Sequence, residues 1–346
     1  MRLGILTGGG DCPGLNAVIR AVCTRASSDG STVVGFKYGW RGLLEDISVE
    51  LGPHNVTGII HEGGTVLRSS GDNPVHSADG PDRVLATYAR HNLDAVVVVG
   101  GEGTMKGALA MWENHGMPLV GIPKTIDNDL PGTDRTVGFD SALAIATEAL
   151  DRLHTTAESH DRVMVCEVMG RTAGWLALYS GMAGGADVIL IPEMNMTVED
   201  AAQIVQQRHD RGKDFSLVVV GEGYTLASSQ GLFEDLNRPQ LTDAWGYPRL
   251  GGVSHDVAEA IERITGFETR VTILGHVQRG GAPTATDRAL ASRFGFLAAD
   301  LCARGEFGTM TAARGEHIVA VPLAESTGSA RVIPESLFPL VHSVMG

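Results

Sequence analysis

Short apolar runs rich in β-branched residues alternate with amphipathic stretches along this chain from start to end. Strands are expected at residues 3–6, 33–36, 95–99, 119–122, 163–167, 188–191, 217–220, 270–274 and 318–321. Helices are expected among the segments between them, including 15–26, 141–153, 175–183, 198–211, 257–264 and 287–303. Strands that are apolar throughout, rather than alternating, belong to parallel sheets covered on both faces. Right-handed crossovers then put the strand-to-helix loops on one edge, where ligands of such sheets usually bind. Forty-five glycines, most of them clustered after the apolar runs, mark loops where backbone must approach a ligand closely.

At 346 residues the chain has room for two domains or one large α/β unit. A net charge of −14, with no broad basic stripe, argues against nucleic acid as a partner. An anion site must therefore gather its cations locally. No run of about 18 apolar residues occurs, so no membrane span is expected. The opening MRLGILTGGG lacks a basic region followed by a long apolar core, so no signal peptide is expected. Cys12, Cys23, Cys166 and Cys302 are scattered, which suits reduced thiols in a cytoplasm better than disulfides or zinc. Residues 225–252 are polar and turn-rich and read as an insertion or surface flap. The tail after Glu325 is weakly patterned and is expected to pack late or fray.

Six loops carry chemistry. Residues 121–130 place Asp127 and Asp129 beside Lys124 and Thr125 directly after an apolar run. A base, a cation and a hydroxyl at a strand end suit removal of a proton from an alcohol as a phosphoryl group arrives. A solvated Asx-type turn is the plainer alternative. The loop at residues 7–14, which includes Gly10, leads from strand into helix and can aim amides at an anion. It has neither the Gly-Lys-Ser/Thr ending nor the GxGxxG spacing, and a tight turn would also explain it. After the strand at 95–99 come Gly101, Glu102, Gly103 and Thr104, where a carboxylate between glycines can hold Mg²⁺ beside phosphates.

The other three loops carry Met169, Gly170 and Arg171, then Glu222 between two glycines, then His276 and Arg279 in a Gly-His-Val-Gln-Arg-Gly-Gly run. Arg162 and Arg270 precede two of these loops. A single arginine at such a place is usually a surface salt bridge. Arg162, Arg171, Arg270, His276 and Arg279, all at strand termini, together suggest a phosphate-binding set.

In this order the motifs resemble those of the 6-phosphofructokinase family, across roughly residues 1–325. The resemblance implies an α/β fold of two Rossmann-like domains, mostly parallel sheets covered by helices, with the active site in the cleft between them. Residues 1–140 plus about 275–325 would form a phosphoryl-donor domain. Residues 141–274 would form a sugar-phosphate domain with an insertion near 225–252, leaving 326–346 as a C-terminal tail.

The same likeness implies the function: transfer of the ATP γ-phosphoryl to the 1-hydroxyl of fructose 6-phosphate, with Mg²⁺, in a cytoplasmic homotetramer. Asp127 would be the base, flanked by Thr125 and Asp129. Arg171 would stabilise the charge on the transferred group, and Met169, Gly170 and Glu222 would shape the sugar pocket. Arg162, Arg270, His276 and Arg279 would grip the 6-phosphate, the first two arriving from a neighbouring subunit. Glu102 would be the Mg²⁺ ligand, with Gly10, Gly101, Gly103, Thr104 and Lys124 around the donor phosphates. A sensor that binds sugar phosphate without turnover is disfavoured because Asp127 and Glu102 are both present.

Two positions bear on the donor. Pyrophosphate-using relatives look like they carry aspartate where this chain has Gly103, and lysine at the place of Lys124. The mixture implies ATP, with pyrophosphate as the alternative, because a side chain at Gly103 would fill the space of the α-phosphate. An arginine that the family places near the donor corresponds here to Gly71, and Arg68 is the candidate substitute.

Overall fold

The structure, a computed structural model, describes residues 1–226 and 250–345. Most of the expected insertion at 225–252 lies outside the described residues. The chain divides into two compact units, Met1–Ser141 with Arg279–Ala330 and Ala142–Gln278 with Arg331–Gly346. Elements are numbered in chain order.

The first unit is built on a seven-stranded sheet of β1 (Arg2–Thr7), β2 (Thr32–Phe36), β3 (Ser48–Leu51), β4 (Ala95–Gly100), β5 (Leu119–Pro123), β10 (Thr309–Arg314) and β11 (His317–Pro322), in the order β11-β10-β5-β4-β1-β2-β3. The five central strands run parallel, and β3 and β11 pair antiparallel at the two edges. Around them lie α1 (Leu15–Ser28), α2 (Trp40–Glu45), α3 (Pro53–Val56), α4 (Gly80–Arg90), α5 (Glu102–His115) and α10 (Ala285–Arg304).

The sequence of β4, Ala-Val-Val-Val-Val-Gly, is buried along its whole length. That is what a central parallel strand covered on both faces requires. Each of its valines adds about 1.5–3 kcal/mol relative to an exposed side chain. Phe36, Trp40, Val98, Met105 and Met111 close the core on one side of the sheet, and α1 packs against α10.

The second unit holds a four-stranded parallel sheet of β6 (Val163–Val168), β7 (Val188–Leu190), β8 (Ser216–Gly221) and β9 (Thr269–Ile273), in the order β7-β8-β6-β9. Its helices are most of α6 (Phe139–His160), then α7 (Trp175–Ala183), α8 (Val198–Asp210), α9 (Val253–Thr265) and α11 (Phe338–Val344). A capping box of Thr197 and Asp200 starts α8. The buried carboxylate of Glu167 accepts hydrogen bonds from the backbone N–H groups of Gly252 and Ser254 and so fixes the start of α9.

The tail, expected to pack late or fray, is packed onto the rest of the chain. Rather than fraying, residues 331–345 lie on the second unit, with Ile333 and Val341 buried and the Ile189 N–H donating to Met345 Sδ at 3.4 Å. β7 is an edge strand, and this cover protects part of its open edge. Few apolar residues carry the docking, so its signal in the sequence is faint. All four cysteines are free and buried. No helix among the described residues is long and apolar enough to cross a membrane.

Candidate active site

In the first unit the register aligns three strand ends. Thr7 pairs with Val99, Val99 with Ile122, and Gly100 with Pro123. The loops after β1, β4 and β5 therefore leave one edge together, where the sheet order turns back between β1 and β4. The Gly8 N–H donates to Val99 O at 2.9 Å, and the Lys124 N–H donates to Gly100 O at 2.9 Å. Residues 65–70 join this edge as well. The Thr7 hydroxyl meets that of Thr65 at 3.0 Å and donates to Arg68 O at 3.0 Å, while the Gly9 N–H donates to Ser70 O at 2.9 Å.

Asp127 is buried in the loop after β5. The Thr125 hydroxyl accepts from the Asp127 N–H at 3.1 Å and donates to Asp127 Oδ2 at 3.2 Å. Oδ1 is buried and accepts no hydrogen bond from the described residues. Leaving a buried acceptor without a partner costs roughly 1–3 kcal/mol, and such exceptions call for an explanation. The turn is held from behind. Asn128 adopts a left-handed backbone (φ 52°) and accepts from the Thr136 N–H at 3.1 Å, while the Thr136 hydroxyl donates to Thr125 O at 2.7 Å. Sequence reasoning passed over both residues. The signal for Asn128 was its tolerance of positive φ in a turn. Asp129 is half-buried in the same loop.

Lys124 is buried, and its ammonium donates to Gly10 O. Burial pulls its pKa below the ordinary lysine value, aided by Arg279 and opposed by the carboxylates of Asp11 and Asp127. Arg279 reaches the same loop, donating to Asp11 O at 3.2 Å. A Cβ at Gly10 would stand 2.7 Å from Arg279 Nη1, so glycine is what lets the guanidinium lie against the backbone. Arg279, expected among the sugar-phosphate contacts, thus lies with Lys124 beside the first glycine loop. Burial pushes the neighbouring Cys12 thiol up to about 12, which keeps it unreactive.

α5 begins with Gly101 in an extended conformation, and no side chain caps its N-terminus. Such a helix start favours anions. Asn73 Nδ2 donates to Gly103 O at 2.8 Å, Trp40 Nε1 donates to Thr104 O at 3.2 Å, and Thr104 is buried. Glu102 lies in the first turn, 44% exposed, paired with Lys106 Nζ at 2.6 Å. No cluster of three or more metal-ligating side chains occurs among the described residues. One accessible carboxylate fits Mg²⁺, which is usually held by one or two carboxylates together with substrate phosphates. Arg68 has φ 58°, places its guanidinium over the Tyr38 ring at 5.6 Å and donates to the Tyr38 hydroxyl at 3.0 Å.

In the second unit β6 and β8 end in register, Val168 opposite Gly221. The Arg171 N–H donates to Glu222 Oε1 at 3.0 Å and the Glu222 N–H donates to Val168 O at 2.9 Å, which ties the two loops together. Arg171 takes a left-handed backbone (φ 52°) just after Gly170 at φ 138°. A Cβ at position 223 would stand 1.8 Å from Arg171 O, so only glycine fits there. Met169 is half-buried, and His276 is exposed in the short turn after β9.

Arg162 and Arg270 are not part of this loop edge. Arg162 precedes β6 and Arg270 is the second residue of β9, so both stand where their strands begin. The six-residue length of β6 separates Arg162 from the Met169–Arg171 loop by about 20 Å at about 3.3 Å per residue. Both pair with Glu268, Arg162 at 3.0 Å. The five basic groups at strand termini therefore occupy two different kinds of position. The strand bounds expected from the sequence already put Arg162 and Arg270 at strand starts, a distinction lost when all five are grouped as terminal.

The sequence pattern of the family described as Phosphofructokinase matches residues 2–302. A pyrophosphate–fructose 6-phosphate 1-phosphotransferase of Streptomyces coelicolor is 50% identical, and the match covers all of both chains. An ATP-dependent 6-phosphofructokinase 3 of the same organism is 47% identical, again over all of both chains. A solved phosphofructokinase from Saccharomyces cerevisiae matches with a TM-score of 0.80 at 32% identity, covering 94% of this chain and 45% of that one. Strand-end loops, motif order and these matches agree: the chain belongs to the phosphofructokinase family.

Proposed function

We propose that this chain transfers the γ-phosphoryl group of ATP to the 1-hydroxyl of fructose 6-phosphate, in the cytoplasm, giving fructose 1,6-bisphosphate and ADP. The observation that carries the chemistry is Asp127 Oδ1, a buried carboxylate oxygen with no hydrogen-bond partner among the described residues, in a loop held by Thr125. A sugar hydroxyl would supply the missing donor. As that oxygen attacks phosphorus, its proton passes to Asp127 and the bond from phosphorus to the β-phosphate oxygen breaks. Arg171 compensates charge on the moving group. Mg²⁺, held by Glu102 and the donor's own oxygens, would neutralise charge on the phosphates. Positioning and charge compensation supply most of the acceleration in such reactions.

Thr125 and Asp129 flank the acceptor hydroxyl, and Met169, Gly170 and Glu222 shape the sugar pocket. The donor phosphates lie along Gly10, Gly101, Gly103, Thr104 and Lys124, with Arg68 beside them. His276 and Arg279 are assigned to the 6-phosphate, and the position of Arg279 against Gly10 supports a contact with donor charge as well. Arg162 and Arg270 stand at the opposite ends of their strands from the Met169–Arg171 loop, which supports the reading that a second copy receives them. A homotetramer is accordingly proposed.

ATP is favoured over pyrophosphate by Gly103, which adds no side chain in the first turn of α5. Lys124 suits either donor. Replacing Asp127 by serine should lower kcat about 10²–10⁴-fold, the usual worth of a positioned acid–base group. A loss below about tenfold in the purified variant would remove Asp127 from the role of base.

A further inference from the structure

The turn that carries Arg171 is strained and lies on a loop. Gly170 has φ 138° and Arg171 has φ 52°, a region that costs a non-glycine residue free energy and persists only where its surroundings impose it. On the β8 side the support is the Glu222 carboxylate, which accepts from the Arg171 N–H. Support on the other side comes from the last residues of the chain. Three residues after Arg171, the Gly174 N–H donates to both carboxylate oxygens of Glu193, at 2.9 and 3.1 Å. The same Oε1 of Glu193 accepts from the Ile333 N–H at 3.1 Å. One carboxylate therefore joins the end of the Arg171 turn to the C-terminal segment.

A second clasp lies beside it. Trp175, the first residue of α7, is buried, and its Nε1 donates to Arg331 O at 2.8 Å. The Arg331 guanidinium sits over the same indole, 4.1 Å from the ring centroid, and the Tyr179 ring stacks on its neighbour Trp175 at 6.0 Å. Burial of Ile333 and Val341 anchors the remainder of the segment. The contacts converge on the junction between the Gly170–Arg171 turn and α7. The Ala173 N–H closes that turn on Gly170 O at 3.0 Å, and the Leu178 N–H starts the helix on Gly174 O at 2.8 Å.

We propose that the C-terminal segment is a strap that fixes the Arg171 turn, with Glu193, Trp175 and Ile333 as positioning residues for the transfer step. The inference rests on the proposed role of Arg171 in compensating charge on the transferred group. The strap touches no group assigned to substrate. It acts by limiting the conformations open to a turn whose backbone is not held by regular structure. Loosening it should leave the donor KM unchanged and lower kcat, because the guanidinium would spend less time where charge develops in the transition state.

The test uses the full-length chain with Glu193→Ala and, as the conservative control, Glu193→Gln, whose amide oxygen can still accept from Gly174 and Ile333. Two readouts are taken. The first is amide hydrogen exchange of residues 169–176, with β8 as the internal reference. The second is kcat and KM with fructose 6-phosphate and ATP. In Glu193→Ala, exchange of 169–176 should speed at least about tenfold, as expected for loss of hydrogen bonds to a charged acceptor, while β8 exchange stays as in the parent. Its kcat should fall about tenfold or more at an unchanged donor KM, and Glu193→Gln should recover most of both.

Unchanged exchange at 169–176, or faster exchange with parental kcat, overturns the strap. Equal loss in the Gln and Ala variants also overturns it. If exchange responds as stated but the parent chain does not turn over fructose 6-phosphate, the strap stands and the functional reading of Arg171 falls. Trp175→Phe provides an independent variant: it removes the N–H to Arg331 and shrinks the ring under the Arg331 guanidinium, and it should shift exchange in the same direction.

Discussion

At the scale of single residues, the protein keeps ionisable groups where neighbours define their environment. Asp127 leaves one oxygen unpaired inside a rigid turn, whereas Glu167, equally buried, has its carboxylate filled by backbone and hydroxyl donors. The contrast fits the proposed role of Asp127 toward a ligand and sets it apart from Glu167, which starts a helix. Arg68 is a different case. Its carbonyl is tied to Thr7 and its guanidinium covers Tyr38, so the side chain is steered rather than free in solvent. A donor phosphate offers it a stronger, charge-assisted partner than a phenol. Arg68→Ala should therefore raise the KM for the phosphoryl donor about tenfold at an unchanged kcat, hydrogen bonds to charged groups being worth roughly 1.5–3 kcal/mol. Steady-state kinetics with the donor varied checks this, and an unchanged KM would make Arg68 a surface charge stacked on a tyrosine.

At the scale of elements, Asp287 shows how the helices of the first unit are locked. Its carboxylate accepts from the N–H groups of Gly138 and Ser141, at 3.0 and 2.8 Å, and from the Ser141 hydroxyl at 2.5 Å. The start of α6 is thereby pinned to the first turn of α10. Burial raises the Asp287 pKa to about 6, against the lowering effect of those hydrogen bonds. A carboxyl whose folded pKa lies above its unfolded value stabilises most below the unfolded value, and that stability is lost as pH rises through the folded one. The window is therefore about pH 4 to 6. Against Asp287→Asn, which does not titrate, the native chain should gain on the order of 1 kcal/mol in unfolding free energy between pH 7 and pH 5. Denaturant unfolding of both proteins at the two pH values measures it, and a pH-independent difference would contradict the buried, partly protonated state.

Elements differ in how far the sequence exposes them. The valines of β4 and the runs in β1, β6 and β8 announce central strands because both faces are buried. β3 and β10 went unread. Ser-Val-Glu-Leu is short, partly exposed and at an edge, while Thr-Met-Thr-Ala-Ala-Arg has no Val or Ile and carries two adjacent alanines. The helices α4 and α5 were not among those expected, α5 because its glycines and polar first turn resemble a loop. The motif residues of the candidate site were legible because they come directly after apolar runs. The reach of Arg279 to Gly10, the role of Asn128 behind Asp127, and the Glu193 clasp were not, since each depends on side-chain direction across a distance in sequence.

At the scale of the whole molecule, a chain of net charge −14 belongs to a family of enzymes that bind phosphorylated ligands. Its cations are correspondingly concentrated, with Lys124 and Arg279 against the first glycine loop and Arg171 beside Glu222. Relatives of nearly equal identity carry names with different donors, so overall similarity does not choose between ATP and pyrophosphate. The choice falls to Gly103 and the space it leaves at the start of α5. The most direct measurement is the initial rate with fructose 6-phosphate and Mg²⁺, supplying ATP and pyrophosphate in turn to the purified protein. Turnover with ATP, and none above background with pyrophosphate, is the predicted result; turnover with pyrophosphate alone would contradict it.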